Sequence, residues 1–286
     1  MEELRRQSPP FLPDIDAMVG PAEAPFMAYS TCSTRDFYHP EFVRLSRLAG
    51  HEPFYHRKLW EWIFVLHHAF DKGAVGEGRK ALGFGVGTEN LPAVFARAGM
   101  RVTATDAPPE IGIAGGWTQA GEFSQGVETI PSLDMERADF ERLVTFQCCD
   151  MNQIDPSLIG FDLCWSSCAL EHLGDMRKGI DFILNSVEKT LKPGGIAIHT
   201  TEFNLSSNNK TMDSGWCVLY RRRDFDALVD EVRARGHEIE AFRVAPDCTV
   251  IDSFVDHPPY LHAPHLKLEL QGYVTTSAGI VVRRGK

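Results

Sequence analysis

Apolar and polar positions repeat with two different periods along the chain. From 36 to about 70, apolar residues recur at three- and four-residue steps, which predicts one or two amphipathic helices. From 79 to 244, short apolar runs that end in glycine or acidic residues alternate with helical patterns, such as the one over 224–235. Strands that alternate with helices in this way are typical of an α/β domain built on a parallel sheet.

These patterns divide the chain into three regions. Residues 1–28 are rich in proline and lack periodicity, so we expect an irregular N-terminal arm. Residues 29–75 are predicted to form a helical cap or lid, and residues 76–286 the α/β domain. Within that domain, about 108–143 and 245–271 are longer than simple connections, and long elements on a rigid scaffold often carry function.

The composition argues against several classes of protein. The hydrophobic fraction is 43% and the charged fraction 24%, and no apolar run reaches the length of a membrane span, so we expect a soluble chain with no membrane partner. A net charge of −10 argues against a nucleic-acid partner, since surfaces that bind nucleic acid are basic. The seven cysteines lack the spacing of a disulfide framework, which favours the cytoplasm. Nothing in the sequence indicates an oligomeric state.

A glycine-rich turn follows the first strand of the α/β pattern. Its glycines have the spacing G-x-G-x-G over 83–87, and a second strand ends in Asp106. A strand, a glycine-rich turn, a helix and a second strand ending in an acid form a site for a cofactor that contains adenosine. The dinucleotide fingerprint needs a further glycine where this chain has Thr88, and Glu89 would repel a pyrophosphate at the helix start. The motif therefore favours a cofactor with a positive centre and no phosphate.

Three later blocks follow this turn in order. Residues 144–151 continue the pattern as a third strand, 161–173 as a fourth strand with its turn, and 191–198 as a turn with a fifth strand. Over roughly 79–201 the chain thereby resembles class I S-adenosylmethionine-dependent methyltransferases. The resemblance implies an α/β fold with a Rossmann-like doubly wound seven-stranded sheet, mostly parallel, with an antiparallel C-terminal edge pair. The candidate strands of that pair are 238–244 and 275–283.

The resemblance also implies S-adenosyl-L-methionine as the cofactor and assigns its contacts by motif position. It implies that the glycines approach the methionine part, that Asp106 binds the ribose hydroxyls, and that Asp150 and Met151 bracket the adenine. The predicted cofactor-binding residues are Arg57, Gly83, Phe84, Gly85, Gly87, Asp106, Ala107, Asp150, Met151 and Ser166. One position departs from the family, which carries an acid two residues before the first glycine, where this chain has Ala81. The residue that contacts the cofactor's amino group must then lie elsewhere in the chain, or this contact must be missing.

A basic pair precedes the glycine turn in the sequence. Either Arg57 or Lys58 can meet the cofactor carboxylate, and Arg57 is preferred because its guanidinium is a bidentate donor. The alternative is an amphipathic lid helix with its aromatic residues inward and its charges in water.

Three residues are candidates for the base that a hydroxyl acceptor needs. His172 is preferred because the resemblance places the turn after the fourth strand beside the transferred methyl group, and because histidine titrates near neutral pH. His199 and Glu171 are the other candidates. Each also has a purely structural interpretation. Glu171 and His172 can simply begin a helix, and His199 can be a buried histidine whose hydrogen bonds are all made within the protein.

The two insertions supply the candidate acceptor contacts. The predicted substrate-binding residues are Trp117, His257, Tyr260, His262 and His265. The histidines, with Asp252 and Asp256 nearby, could instead hold a metal ion, but histidines scattered through a proline-rich loop are a weaker pattern than His-x-x-x-His on a helix. We therefore predict no metal.

The sequence thus predicts a methyltransferase that acts on a small molecule or saccharide, with oxygen as the preferred acceptor atom. The first alternative is a regulatory or assembly protein that binds S-adenosylmethionine without catalysis, which the departure at Ala81 favours. The second is an NAD-dependent oxidoreductase, which the glycine spacing disfavours.

Overall fold

A mixed sheet forms the centre of the molecule. The computed structural model describes residues 12–20, 25–114 and 123–286. The strands are β1 (Lys80–Phe84), β2 (Arg101–Asp106), β3 (Val144–Cys148), β4 (Phe161–Ser167), β5 (Leu191–Asn204), β6 (Glu238–Ile239), β7 (Val255–Asp256), β8 (Lys267–Leu270) and β9 (Tyr273–Arg283). Their order across the sheet is β3-β2-β1-β4-β5-β9-β8-β7, and β6 pairs with the end of β9.

The first five strands are parallel to one another, and β3 forms one edge of the sheet. Strand β1 is central, with Gly83 opposite Ala104 of β2 and Trp165 of β4. Helices cover both faces of a parallel sheet, so its strands are apolar on both sides rather than alternating, as in the almost wholly buried β4. Their carboxyl ends therefore meet at one edge of the sheet, where the turns that follow them come together.

The predicted number of seven strands is wrong, because the sheet has nine. The candidate strand over 238–244 pairs only at Glu238–Ile239, and a separate hairpin strand, β8, pairs with the opposite end of β9. Both fit along one edge because β9 is 11 residues long and its partners are short. Gln271 and Gly272 form the hairpin turn, and both have the positive φ that such a two-residue turn requires.

Helices surround the sheet and form the predicted N-terminal cap, so the mixed α/β fold is confirmed. They are α1 (Ile15–Met18), α2 (Thr34–Phe37), α3 (Pro40–Leu48), α4 (Arg57–Asp71), α5 (Leu91–Arg97), α6 (Pro109–Ala114), α7 (Arg137–Leu143), α8 (Met176–Asn185) and α9 (Arg222–Ala234). The predicted helix over 224–235 corresponds to α9. In the described ranges, no helix combines the length and apolar character that crossing a bilayer requires.

Helix α4 packs its apolar face against β5 and β9. The apolar residues recur every three or four positions, and the side chains of Leu59, Trp60 and Ile63 are fully buried. Gly279 of β9 has no side chain where the Phe64 ring lies, and a Cβ there would overlap the ring. The helix therefore lies close to the sheet, and its first turn projects over the carboxyl edge of the parallel strands.

The cap is fastened to the last strand by backbone hydrogen bonds. The amide of Cys32 donates to the carbonyl of Ser277 at 3.0 Å, and the amide of Gly279 donates to the carbonyl of Ser30 at 2.7 Å. At the start of α4, the amide of Arg57 donates to the carbonyl of His265 at 2.9 Å. The N-terminal cap is thus attached to the C-terminal part of the described chain.

Candidate active site

A cavity of about 330 Å³ opens at the carboxyl edge of the parallel strands. Open α/β sheets bind their ligands at this edge. Its walls use residues from 85–89 after β1, 106–111 after β2, 149–152 after β3 and 167–173 after β4, and Lys58 and Trp62 of α4 complete them. The motifs singled out in the sequence therefore meet around one space.

The glycine turn forms the floor of this cavity. Gly85 and Gly87 have φ of +59° and +49°, a backbone conformation that favours glycine. A Cβ on Gly85 would lie 3.0 Å from the Cβ of Ala169 and would narrow the cavity. Gly83 has a different role, since a Cβ there would lie 2.5 Å from the ring of Trp165. Two glycines thus shape the cavity, and the third admits an indole.

Asp106 holds a carboxylate at the end of β2 in a fixed orientation. Its oxygens accept backbone N–H groups of Gly87 at 3.1 Å, Ala107 at 2.8 Å and Ser124 at 3.0 Å. Burial raises the pKa of Asp106, although these hydrogen bonds favour its ionised form. The side chain lines the cavity, so a ligand hydroxyl can reach an acceptor that the backbone has already oriented.

Apolar side chains flank the next part of the cavity. Ala107 and Ile111 line it after β2, and Met151 lines it after β3. Asp150 stands beside Met151, and its carboxylate accepts the backbone N–H of Asn152 at 2.8 Å. A slot with apolar faces and an acid at its border suits a flat heteroaromatic ring with a polar edge.

Three predicted residues point to the other side of the sheet. Ser166 is fully buried and its hydroxyl lies 2.8 Å from His199 Nδ1, while His199 Nε2 lies 3.0 Å from the hydroxyl of Ser186. Burial lowers the pKa of His199 to about 3, so this histidine is neutral. The Phe84 ring packs edge-on against Phe182. Strand alternation explains the placement, because Ser167, one residue after Ser166, lines the cavity.

Arg57, Lys58 and Glu61 in the first turn of α4 form a largely buried group of charges with Glu202 of β5, which we call the ion network. Arg57 Nη2 lies 2.5 Å from Glu202 and its Nη1 lies 3.2 Å from Glu61, while Lys58 Nζ lies 3.0 Å from Glu61. Ser277 of β9 also donates to Glu61 at 2.5 Å. Arg57 points into the network, and Lys58 also borders the cavity.

The charges in the network set one another's ionisation. Burial would raise the pKa of Glu61, but Lys58 and Arg57 outweigh it and lower the pKa to about 2. Burial likewise opposes the charge on Lys58, but Glu61 keeps its pKa above the ordinary value. Glu202 shows the opposite balance, because burial raises its pKa even with Arg57 alongside. Glu61 is therefore the fully ionised centre of the network.

His172 and Glu171 follow β4 and lie in different surroundings. His172 lines the cavity, and its Nδ1 lies 2.7 Å from the carbonyl oxygen of Trp216. Glu171 is 1% exposed and accepts the hydroxyl of Thr201 at 3.0 Å. Of the three predicted bases, His172 is thus the one whose side chain lies in the cavity wall.

The C-terminal histidines gather over the start of α4, away from the cavity wall. His265 Nδ1 lies 2.7 Å from Asp256, and its ring stacks on His56, which caps the helix. His262 stacks on Phe54, His257 lies 3.6 Å from Glu269, and Tyr260 donates to the carbonyl of Glu269. Trp117, the remaining predicted acceptor contact, lies outside the described residues.

One group in the described part of the chain has ligand atoms close enough for a metal ion. The thiol of Cys168 and the carboxylates of Glu171 and Glu202 lie within 4.8 Å of one another. The guanidinium of Arg57 already lies 2.5 Å from Glu202 and 3.6 Å from the Cys168 sulfur, so a cation occupies this place in the fold. Burial raises the pKa of the Cys168 thiol.

Glu89 and Trp62 line the cavity, although the sequence analysis assigned neither to the site. The carboxylate of Glu89 accepts the indole N–H of Trp165 at 2.6 Å. The indole nitrogen of Trp62 is buried and has no hydrogen-bond partner among the described residues. Trp62 lies four positions after Lys58, hence on the same face of α4, and this spacing is visible in the sequence.

S-adenosyl-L-methionine fits this set of groups. The turn at Gly85 leaves room for a ligand, Asp106 offers an oriented acceptor for ribose hydroxyls, and the apolar slot beside Met151 suits adenine. Lys58 and Glu89 provide one cationic and one acidic group, and Trp62 provides a buried donor.

Comparison with known proteins identifies one family. Residues 82–199 match the family model described as a methyltransferase domain. No curated protein matches the sequence.

Solved structures include several similar folds. An S-adenosylmethionine-dependent methyltransferase from Clostridium acetobutylicum ATCC 824 is 12% identical with a TM-score of 0.44, covering 81% of this chain and 92% of that one. A putative methyltransferase from Bacillus halodurans C-125 is 14% identical with a TM-score of 0.44, covering 77% and 99%. The methyltransferase SibL is 16% identical with a TM-score of 0.43, covering 80% of this chain and only 56% of SibL. At these TM-scores the likenesses carry no argument about the activity.

The family match coincides with the site. It begins in β1, ends in β5 and contains the glycine turn, Asp106, Asp150 and His172. Residues 82–199 thus form a methyltransferase domain, which holds the floor and the side walls of the cavity.

Proposed function

We propose that this enzyme methylates a hydroxyl oxygen of a small molecule or a saccharide, with His172 as the base. The observation that carries the proposal is the contact of 2.7 Å between His172 Nδ1 and the carbonyl oxygen of Trp216. A carbonyl only accepts hydrogen bonds, so Nδ1 carries the proton of the neutral ring and Nε2 is the basic nitrogen. The ring lines the cavity, where a base for the acceptor is needed.

The proposed chemistry needs few groups from the protein. Bound S-adenosylmethionine supplies a methyl group that its sulfonium makes electrophilic. With the cofactor bound, the acceptor oxygen would form its new bond to the methyl carbon as the carbon–sulfur bond breaks, and the sulfur would keep the electron pair as the neutral thioether of S-adenosylhomocysteine. His172 Nε2 would take the proton of the acceptor hydroxyl, and the Trp216 carbonyl would stabilise the imidazolium through Nδ1–H. His172 is partly exposed, so this proton then leaves to solvent.

Trp216 supports an acceptor that presents a ring. Its side chain is 58% exposed, and its ring lies parallel to that of His172 with centroids 6.3 Å apart. An acceptor that reaches His172 would also meet this indole, whose flat apolar face suits packing against a ring. The net charge of −10 disfavours a polyanionic acceptor, which leaves neutral or cationic small molecules and saccharides.

The test compares matched acceptors and matched variants. We expect methyl transfer from labelled cofactor to members of a panel of hydroxyl compounds and saccharides, and not to their amino counterparts. With a compound that is methylated, His172→Gln should lower kcat by about 10²- to 10⁴-fold with little change in cofactor affinity. His237→Gln, at a histidine that lies beside Glu188 and outside the cavity wall, is the control and should retain activity.

Two results would contradict the proposal. Transfer to the amino compounds alone would exclude oxygen as the acceptor atom. Retention of kcat in His172→Gln would exclude His172 as the base. Tight cofactor binding without transfer to any compound would instead favour a regulatory protein without catalysis.

A further inference from the structure

Glu89 places a carboxylate in the wall of the cofactor cavity, directly after the glycine turn. The residue is 7% exposed, and its Oε1 accepts the indole N–H of Trp165 at 2.6 Å. A buried carboxylate is costly unless hydrogen bonds and opposite charges compensate it. A hydrogen bond from a neutral indole offsets only part of that cost, so the position calls for a cationic partner.

Small residues on β1 create the space for this arrangement. Gly83 has no side chain where the Trp165 ring lies, since a Cβ would approach it to 2.5 Å. Ala81 lies two residues earlier on the same face and is fully buried, and its side chain has no polar atom. Strand β1 thus has Ala81 where related proteins have an acid, and an acid, Glu89, stands instead in the loop after β1. The indole of Trp165 on β4 orients its carboxylate.

Lys58 brings the opposite charge to the same cavity. It is the one lysine or arginine among the described residues of the wall, and its Nζ lies 3.0 Å from Glu61. Lys58 and the hydrogen bond from Trp165 of β4 favour the ionised form of Glu89, whereas burial and the charge of Glu61 oppose it. The wall thus presents one cation and one acid, the complement of a zwitterion with a carboxylate and an ammonium group.

We propose that Lys58 and Glu89 bind the amino-acid end of S-adenosylmethionine, Lys58 at the carboxylate and Glu89 at the ammonium group, and that Glu89 releases a proton when the cofactor binds. The inference concerns cofactor binding alone and is independent of the acceptor and of His172.

Proton release follows from the surroundings of Glu89. Burial raises its pKa to about 7, so near neutral pH about half of the molecules carry a proton on this carboxyl group. An ammonium group beside the carboxylate favours the ionised form, and the proton passes to the buffer. Cofactor affinity should therefore rise with pH up to the neutral range and then level off.

Titration calorimetry at pH 7 tests the proposal with two ligands. S-adenosylhomocysteine carries the amino-acid end on a neutral thioether, whereas 5′-methylthioadenosine keeps the adenosine and a neutral thioether and lacks that end. The dependence of the binding enthalpy on the buffer's ionisation enthalpy gives the number of protons released. For the wild type we expect proton release with S-adenosylhomocysteine and none with 5′-methylthioadenosine.

Variants then assign the proton to its residue. Glu89→Gln should abolish the release and weaken S-adenosylmethionine binding by about 10- to 100-fold, while 5′-methylthioadenosine binds as to the wild type. Glu110→Gln makes the same chemical change at an exposed acid near the cavity and should change neither quantity.

The outcomes that overturn the proposal are distinct. Equal proton release with both ligands, or wild-type affinity of Glu89→Gln for S-adenosylmethionine, would exclude the assigned contact. If Glu89→Gln does not fold, the comparison of S-adenosylhomocysteine with 5′-methylthioadenosine on the wild type still decides, because both sulfurs are neutral and only the amino-acid end differs in charge. None of these measurements requires an acceptor, so failure of the proposed O-methylation leaves them unaffected.

Discussion

The cofactor cavity and the ion network lie side by side and share Lys58, yet they handle polar groups in opposite ways. The cavity wall contains polar groups without a full set of protein partners, such as the buried Trp62 indole N–H and the Glu89 carboxylate. The network pairs its charges with one another, and Glu61 at its centre is 0% exposed. Substitutions in the network should therefore change stability, and substitutions in the cavity should change affinity.

The largest effect is expected from removing the charge at the centre of the network. Glu61→Gln leaves Arg57 and Lys58 buried without their shared carboxylate, and breaking such a buried pair costs about 3–5 kcal/mol. Urea unfolding followed by circular dichroism measures the loss. Glu41→Gln is the matched control, because Glu41 pairs with Arg44 at the surface and such pairs contribute about 0–1 kcal/mol. If Glu61→Gln and Glu41→Gln lost the same free energy of unfolding, the ion network would contribute no more to stability than a surface ion pair.

Acid should weaken the same centre without any substitution. The pKa of Glu61 lies near 2 in the folded protein against an ordinary value of 4.5. The stabilisation is complete above about pH 4.5 and is lost as pH falls through about 2, because folding then requires a proton to leave Glu61. The shift corresponds to about 3 kcal/mol. The difference in unfolding free energy between wild type and Glu61→Gln should shrink over this range, and a constant difference would contradict the assignment.

Arg57 and Lys58 should separate the two regions. Lys58→Met removes a cation from the cavity wall, and we expect about tenfold weaker S-adenosylmethionine binding with unchanged 5′-methylthioadenosine binding. Arg57→Met removes a cation that faces Glu202 and Ser277, so we expect lower stability with nearly unchanged affinity. Calorimetry and urea unfolding on both variants distinguish the roles. The reverse result would restore Arg57, the residue preferred from the sequence, as the carboxylate contact.

The smallest effect is expected at the cavity floor. Gly85→Ala adds a methyl group at φ +59° and 3.0 Å from Ala169, and the left-handed backbone costs about 1–2 kcal/mol. Gly73→Ala imposes the same kind of strain at φ +66° where nothing lies within 4 Å. Both variants should lose similar stability in urea, but only Gly85→Ala should also bind the cofactor less tightly. Unchanged affinity in Gly85→Ala would show that this turn does not shape the binding space.

The cavity could be predicted to a large extent because its parts are local. Glycines and strand-terminal acids lie in short motifs, and the parallel order of the strands brings Gly85, Asp106, Asp150 and His172 to one edge. The predictions from these motifs were less accurate for residues inside the strands, whose side chains alternate between the two faces of the sheet. The motif included Phe84 and Ser166, but their side chains point to the face of the sheet opposite the cavity. Alternate residues of a strand point to opposite faces, so this placement can be predicted only when the register of the strand is known.

The burial of the ion network could not be predicted, because Arg57, Lys58 and Glu61 lie together on α4 but their partners on β5 and β9 are distant in sequence. Arg57 and Ser277 are 220 residues apart and meet only after β9 has paired with β5. The same long-range pairing sets the strand count, since the short strands β6 and β8 depend on the length of β9 rather than on their own patterns. Glu89 was visible in the sequence, but its role depends on the indole of Trp165 from another strand.

The attachment of the cap to β9 has a consequence for synthesis on the ribosome. The segment at Ser30 and Cys32 and the first turn of α4 leave the ribosome early, whereas their partners Ser277 and Gly279 emerge among the last residues of the described chain. Until then Lys58 has no fixed place over the glycine turn. We therefore expect the nascent chain to acquire cofactor affinity only after residues 277–279 have emerged, so that bound cofactor distinguishes chains that contain β9 from shorter translation products.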